Sequence, residues 1–236
     1  HEGNHGEDVK ELYYHLDATP THSYLKLLYK YPQRAFPYDE LVQENARRKA
    51  DPQASEYELL DTGIFDDDRY WDVFVEYAKA APDDLLMRVT ACNRGPDVAR
   101  LYLLPQLWFR NTWSWNQQTA KPTLLLTNRG ALTARHAELG EFRLFMEGQP
   151  EVLFCENETN LRRHHDQPDA KGAFKDAFNE YLIHSDKTAA DASQTGTKAG
   201  VLYQLSVAPG QSAAIRLRLV AASAQPGSAS NRNAFA

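Results

Sequence analysis

The sequence is poor in cysteine, in methionine and in long hydrophobic runs. Its 236 residues include two cysteines and two methionines, and no run of hydrophobic residues exceeds four. Because a membrane-spanning helix needs about 20 consecutive apolar residues, we expect no membrane partner. Cys92 and Cys155 lie in apolar stretches without CxxC or Cys/His spacing. We therefore predict that both are small buried hydrophobic residues in a protein of a reducing, cytoplasmic compartment.

Complete catalytic and ligand-binding motifs are also missing. The sequence has no G-x-S-x-G, no glycine-rich phosphate loop and no Cys/His nucleophile pattern. Its eight histidines offer no third ligand at zinc spacing, so we predict no metal and no cofactor. Lys and Arg total 26 against 32 Asp and Glu, and the densest arginine group is the pair Arg162 and Arg163. Nucleic acid is therefore not a predicted partner, because phosphate neutralisation requires a basic stripe.

Hydrophobic residues instead alternate with polar ones, with a period of two. One such segment covers 201–207 and a second covers 213–219, as half-buried strands require. Pro209 and Gly210 between them predict a tight turn and hence a hairpin. Similar short runs, separated by turn signals, occur at 70–77, 85–92, 100–104, 107–111, 123–127, 142–147 and 152–155. This succession predicts a mainly β protein with an antiparallel β-sandwich rather than βαβ units.

Three segments depart from the strand pattern. Residues 39–49 and 172–183 have apolar residues near helical spacing, which predicts one or two short helical insertions. Residues 223–236 are rich in Ser, Ala and Asn and poor in large apolar residues. The sequence therefore predicts a sandwich domain over 1–222 and a flexible linker or tail over 223–236.

The densest acidic segment is 61–72, and oxygen-rich runs can hold Ca²⁺. The segment lacks EF-hand spacing, because that loop needs Gly at its sixth position and Glu at its twelfth. Its alternative interpretation is a charged turn before the strand at Tyr70, in which Arg69 offsets some of the repulsion.

Three of the four tryptophans lie in 107–115 (LWFRNTWSW). Flat aromatic rings beside hydrogen-bonding side chains suit a sugar ring, which offers C–H patches together with hydroxyl groups. This hypothesis applies to Trp113 and Trp115, with Arg110 beside them, rather than to Trp108. The alternative is that tryptophans at alternating positions fill a sandwich core.

Glu156 and Glu158 lie two residues apart, so an extended backbone places both carboxylates on one side. General acid and base catalysis requires two carboxyl groups held across the scissile bond in different environments. A polar turn after a strand is the alternative for this segment.

Several runs together resemble a known enzyme family. They are EGNHGEDVKE (2–11), TPTHSY (19–24), YKYP (29–32), ELLDTG (58–63), LWFRNTWSW (107–115), ENETN (156–160) and TGTKA (195–199). In this order they are similar to the N-terminal region of bacterial glucosidase-like proteins of glycoside hydrolase family sixty-three. That family also includes the eukaryotic processing mannosyl-oligosaccharide glucosidase.

The resemblance implies a supersandwich-type β-sandwich that docks against a C-terminal (α/α)₆ barrel. In the family, the barrel supplies the acid and base for inverting hydrolysis of α-glucosidic bonds. No part of this chain matches the barrel, and the resemblance implies that further sequence precedes His1.

The function expected from the resemblance is that of a non-catalytic N-terminal accessory domain of an α-glucosidase-like enzyme. It would buttress the barrel of the same parent chain and shape the rim of a sugar pocket where an oligosaccharide binds. The expected substrate-binding residues are Arg110, Trp113, Trp115, Glu156 and Glu158, with no catalytic residue. A free-standing carbohydrate-binding module and a purely structural interaction domain are the alternatives.

Overall fold

The computed structural model describes residues 11–115, 119–127, 130–164, 171–191, 193–224 and 235. Within these residues the chain forms thirteen strands in two antiparallel sheets, together with three short α-helices. The predicted class, a mainly β antiparallel sandwich with short helical insertions, is confirmed.

The strands account for most of the regular structure. They are β1 (Leu12–Ala18), β2 (Tyr24–Pro32), β3 (Tyr70–Ala81), β4 (Asp84–Asn93), β5 (Ala99–Leu103), β6 (Gln106–Trp108), β7 (Thr123–Leu126), β8 (Leu132–His136), β9 (Gly140–Met146), β10 (Glu151–Cys155), β11 (Thr195–Gly196), β12 (Lys198–Val207) and β13 (Ser212–Ala221). The larger sheet has the order β1-β2-β3-β4-β13-β9-β8-β7-β11. The smaller has the order β10-β12-β5, and β6 also pairs with β12.

The segments with predicted strand alternation fall on strands, except that 107–111 leaves its strand after Trp108, and the predicted hairpin is wrong. Strands β12 and β13 belong to different sheets. The turn between them does form, with Gly210 at φ 67°, and its backbone bonds to Asn93 at the end of β4. Gly210 N donates to Asn93 O at 3.0 Å, and Asn93 N donates to Gln211 O at 2.9 Å. A period-two pattern identifies a strand but not its partner, so it could not show that this turn links two sheets.

Strands β1 and β2 lie outside the segments that alternation predicts. Nearly all of their residues are half-buried or exposed, so neither strand has a buried apolar face. Lys30 of β2 lies opposite Asp72 of β3, and the two form a 2.7 Å ion pair. Tyr24 donates its hydroxyl to Glu76 at 2.7 Å. Such pairs stabilise a sheet without producing the hydrophobic signal that identifies a strand in the sequence.

Helix α1 (Tyr38–Arg48) confirms the helix predicted over 39–49. Acidic residues occupy its first turn and basic residues its last, which complements the helix dipole. Its buried Leu41 packs against Leu59 and Ile64. Asn45 fixes the following loop, because its side chain donates to Tyr57 O and accepts from Tyr57 N, each at 2.9 Å.

The second predicted helix, over 172–183, is real but shorter. Helix α3 spans Ala177–Leu182 and follows the four-residue helix α2 (Leu161–His164). Gly172 has φ 114°, a backbone conformation outside the right-handed helix, which is one reason that the helix does not begin there. Helix α3 packs its buried residues, Phe178 among them, against Leu153 and Leu202 of the smaller sheet.

The two cysteines differ in burial. Cys155 is buried in the core beneath α3, as predicted, and burial raises its thiol pKa to about 12. Cys92 is only half-buried, so its predicted burial is wrong in degree. Its sulfur accepts a hydrogen bond from Ser212 Oγ at 3.0 Å. Both thiols are free.

The chain forms two compact units. The first comprises His1–Ala78, Met87–Leu101 and Leu205–Ile215, and it contains α1. The second comprises Lys79–Leu86, Tyr102–Gln204 and Arg216–Ala236, and it contains α3 together with every predicted binding residue. The boundary expected at 222/223 stays a prediction, because most of the tail, 225–234 and 236, lies outside the described residues.

The helices of the described residues are all too short or too polar to serve as a membrane crossing.

Candidate functional site

The candidate site is built on the loop that follows β6, residues 109–115, which we call the aromatic loop. The backbone N–H and C=O groups of its first residue, Phe109, are both hydrogen-bonded. Phe109 N donates to Thr197 O at 3.2 Å, and Phe109 O accepts from Asn157 Nδ2 at 2.9 Å. The Phe109 ring also stacks on His136, with ring centroids 5.5 Å apart. The loop is therefore attached to the segment that carries Glu156 and Glu158.

Trp113 joins the aromatic loop to one of these carboxylates. Its side chain is half-buried, and its indole Nε1 donates to Glu158 Oε1 at 2.7 Å. This hydrogen bond fixes the polar end of the indole, while the apolar ring stays partly accessible to solvent.

Lys121 joins the two carboxylates to each other. Its ammonium lies 2.9 Å from Glu158 Oε1 and 3.1 Å from Glu156 Oε2. Thr197, which is buried, donates its hydroxyl to the same Glu156 oxygen at 2.6 Å. The two glutamates therefore point to one side, and one cation serves both, although the backbone bends at Asn157 and Glu158 and is not the extended segment that was predicted.

The position of Thr197 depends on Gly196 in β11. A Cβ atom at Gly196 would lie 2.4 Å from the carbonyl oxygen of Cys155, closer than any real contact. The absence of that atom lets Thr197 N donate to Cys155 O at 3.2 Å. Because Glu156 follows Cys155, this close approach places the Thr197 hydroxyl beside the Glu156 carboxylate.

The protonation of the network follows from these contacts. Partial burial alone would raise the pKa of Glu158, but the hydrogen bonds from Trp113 and Lys121 outweigh it and hold that pKa below its ordinary value. Partial burial alone would lower the pKa of Lys121, but the hydrogen bonds to Glu158 and Glu156 raise it above its ordinary value. Glu158 and Lys121 are therefore both charged at neutral pH.

Arg110 and Trp115 form a separate pair on the same loop. The Arg110 guanidinium carbon lies 5.0 Å from the centroid of the Trp115 ring. The Trp115 side chain is 67% exposed, and Arg110 is exposed as well. The structure thus brings Trp113, Glu156 and Glu158 into one network and places Arg110 and Trp115 on the loop that the network anchors.

The core interpretation of the tryptophans is wrong for this stretch. Trp108, which the sugar-facing hypothesis left out, is 54% exposed at the end of β6. The tryptophan of the core is Trp71 in β3, which is 1% exposed. The sequence also gave no signal for Lys121, which lies between an alanine and a proline, far from both glutamates along the chain.

The acidic segment 61–72 is a charged turn, as its alternative interpretation predicts. It begins in a 3₁₀ turn, Leu59–Thr62, and leads into β3. Its buried carboxylate, Asp72, is neutralised by Lys30 and Arg94, each at 2.7 Å. Arg69 pairs instead with Asp97 at 2.8 Å. Across the described residues, no three His, Cys, Asp or Glu side chains are grouped so that they could hold a metal ion.

The protonation of Glu158 differs from that of a glycosidase general acid. A general acid for glycoside hydrolysis needs a raised carboxyl pKa, whereas the pKa of Glu158 is lowered. Exposed aromatic rings, a guanidinium and fixed carboxylate acceptors can instead contact both the C–H faces and the hydroxyl groups of a polyol.

Comparison with known proteins gives one clear relative. The chain is 36% identical over 254 aligned positions to the uncharacterized protein YMR196W of Saccharomyces cerevisiae. The match covers 92% of this chain but only 23% of the yeast protein. No protein-family model matches the chain.

A solved structure resembles the chain weakly. It is that of an Escherichia coli K12 protein whose suggested activity is aldose 1-epimerase. The likeness covers 88% of this chain and 67% of that protein, with a TM-score of 0.37 and 10% sequence identity.

Proposed function

We propose that this chain is a non-catalytic, saccharide-contacting accessory domain of an α-glucosidase-like inverting glycoside hydrolase. Its aromatic loop forms part of the rim of a sugar pocket, and the catalytic acid and base lie in an (α/α)₆ barrel outside these 236 residues. The observation that carries the proposal is that Trp113, Glu156 and Glu158 form one network through Lys121, while Arg110 and Trp115 form a pair on the loop that this network anchors.

The charge state of the network supports a binding role. Trp113 and Lys121 hold the pKa of Glu158 below its ordinary value, which favours the carboxylate over the protonated acid that an inverting mechanism uses. A fixed carboxylate is instead a good acceptor for a sugar hydroxyl. The shared Lys121 reduces the cost of holding two carboxylates close together.

The length of the yeast relative is compatible with a separate catalytic part. The chain spans 23% of that protein, so most of the relative lies outside the matched region. In family sixty-three, which the sequence resembles, a helical barrel supplies the catalytic acid and base. We propose the same arrangement for the parent of this chain.

The test is a nuclear magnetic resonance titration of the 236-residue chain with a neutral α-linked gluco-oligosaccharide. The four tryptophan indole N–H signals report on the site without a label on the ligand. We expect saturable shifts of the Trp113 and Trp115 signals with a Kd on the order of 1 mM, because an isolated rim supplies few contacts. We also expect no glucose release from the same oligosaccharide.

The matched variants are Trp115→Ala and Trp108→Ala, since both side chains are exposed and only Trp115 belongs to the proposed surface. Trp115→Ala should weaken binding at least threefold and Trp108→Ala should leave it unchanged. Equal losses in both variants would contradict the assignment of the surface. Glucose release by the purified chain would contradict its non-catalytic role.

The exposure of Trp115 also favours a second candidate, a free-standing carbohydrate-binding module. Such a module must bind on its own, so a Kd of about 10 μM or less in the same titration would identify it. A purely structural interaction domain, in contrast, would leave all four indole signals unshifted.

A further inference from the structure

Arg110 lies on the aromatic loop but takes no part in the network of Lys121, Glu156 and Glu158. Its guanidinium packs against Trp115, which orients the planar group and leaves the residue exposed. An arginine held on an aromatic ring keeps its N–H donors in a fixed fork, which matches the two oxygens of a carboxylate or a phosphate.

The neighbouring carboxylates do not neutralise Arg110. Glu158 is bonded to Trp113 and Lys121, and Glu156 is bonded to Thr197 and Lys121. Among the described residues, which leave out the acidic residues of 1–10 and 165–170, no carboxylate lies within ion-pairing distance of the Arg110 guanidinium. The aromatic loop therefore presents a positive charge that the described part of the chain leaves uncompensated.

The backbone around this pair is already ordered. Thr112 N donates to Arg110 O at 2.8 Å, and Trp115 N donates to Thr112 O at 3.2 Å. Asn111 Oδ1 accepts from Ser114 N at 3.2 Å within the same turn. Because the turn fixes the loop before a ligand arrives, binding to Arg110 requires little further ordering of the backbone.

We propose that Arg110, supported by Trp115, binds an anionic substituent, a carboxylate or a phosphate ester, on the saccharide that contacts the aromatic loop. The inference rests on the proposed saccharide contact and adds the charge of the ligand to it. Glu158 and the Trp115 ring would contact the neutral part of the sugar, and Arg110 would select the charged form.

The experiment compares four probes on the 236-residue chain: glucose, glucose 6-phosphate, glucuronate and inorganic phosphate. The Trp115 and Trp113 indole signals are followed at low salt and again at 0.5 M NaCl. We expect at least one charged sugar to bind tenfold more tightly than glucose, and we expect the preference to fall at high salt because exposed charges are screened.

Two substitutions of Arg110 separate charge from geometry. Arg110→Gln should abolish the preference for the charged sugar, and Arg110→Lys should retain only part of it, because an ammonium lacks the bidentate fork. Arg100→Gln removes another exposed arginine, on β5, and should change nothing.

The outcomes distinguish this inference from the proposed function. Equal affinity for glucose and both charged sugars would overturn the inference and leave the saccharide contact intact. A preference for the charged sugar that persists in Arg110→Gln would have the same meaning. If inorganic phosphate binds as tightly as glucose 6-phosphate, the sugar contributes nothing to binding. Arg110 would then be a general anion site, and the inference would be overturned. Absence of binding by every sugar would overturn both proposals.

Discussion

Glu158 receives two hydrogen bonds that oppose the effect of its partial burial. Burial favours the neutral acid, whereas Trp113 and Lys121 favour the carboxylate, and the net result is a lowered pKa. Because the folded pKa lies below the unfolded one, the carboxylate contributes stability above the ordinary glutamate pKa. That stability is lost as the pH falls through the lowered pKa of the folded protein.

We expect Lys121→Gln to raise the pKa of Glu158, since the substitution removes the ammonium and leaves the burial in place. The Trp113 indole signal reports this pKa directly, because its N–H donates to Glu158. Its midpoint in a pH titration should move upward in Lys121→Gln. Lys175→Gln, which changes an exposed lysine of the same unit, is the control and should leave the midpoint where it is. An unchanged midpoint in Lys121→Gln would show that Lys121 has no part in the charge state of Glu158.

At the residue scale, sequence reasoning could find the carboxylates and aromatic rings but not the residue that joins them. The two-residue spacing of Glu156 and Glu158 keeps them close together, although the backbone bends between them instead of running extended. Lys121 approaches them only in the folded chain, from a segment with no motif. The exposure of Trp108 could not be predicted either, because burial depends on which elements cover a strand.

At the element scale, the two-residue strand β11 controls the geometry of the site. It pairs with β7, and its Gly196 approaches the Cys155 carbonyl too closely for any side chain. The residue after it, Thr197, bonds to Glu156 and also to the backbone N–H of Asn157 at 2.8 Å. A displacement of β11 would therefore change the position of the Glu156 carboxylate through Thr197.

We expect Gly196→Ala to destabilise the protein by about 2 to 3 kcal/mol, as overpacking does, and to shift the Trp113 indole signal. The control is Gly140→Ala, because Gly140 has φ 78° with open space around its Cβ position. Its cost should be about 1 kcal/mol from backbone strain alone, without a shift of the Trp113 signal. Urea denaturation measures the free energies of unfolding. A Trp113 signal that responds equally to both substitutions would contradict the role of β11.

The positions of the elements followed from the sequence more reliably than their pairing did. Alternation marks a strand because side chains on a pleated backbone alternate between two faces. It does not identify the neighbouring strand, and so β12 and β13 were expected to pair although they lie in different sheets. Strand β2 gave a weak hydrophobic signal, because polar pairs such as Lys30 and Asp72 occupy part of its contact with β3.

At the scale of the whole molecule, the end of the nine-stranded sheet determines how copies of the chain behave toward one another. Among the described strands, β1 lies at that end and pairs only with β2. It exposes Tyr13, Tyr14 and Leu16, and its register shifts between His15 and Asp17. An exposed apolar edge strand can pair with another chain, and a bulge is one feature that opposes such pairing.

We expect Leu16→Lys to reduce concentration-dependent association without a loss of stability. Leu16 is 47% exposed at the register shift, so a lysine there adds charge to the edge without disturbing a cross-strand pair. The control is Leu139→Lys, in the turn after β8, where the leucine is 65% exposed and contributes to no strand edge. Light scattering over a concentration series should show less association for Leu16→Lys alone. An equal effect of both lysines would mean that net charge, rather than the β1 edge, governs association.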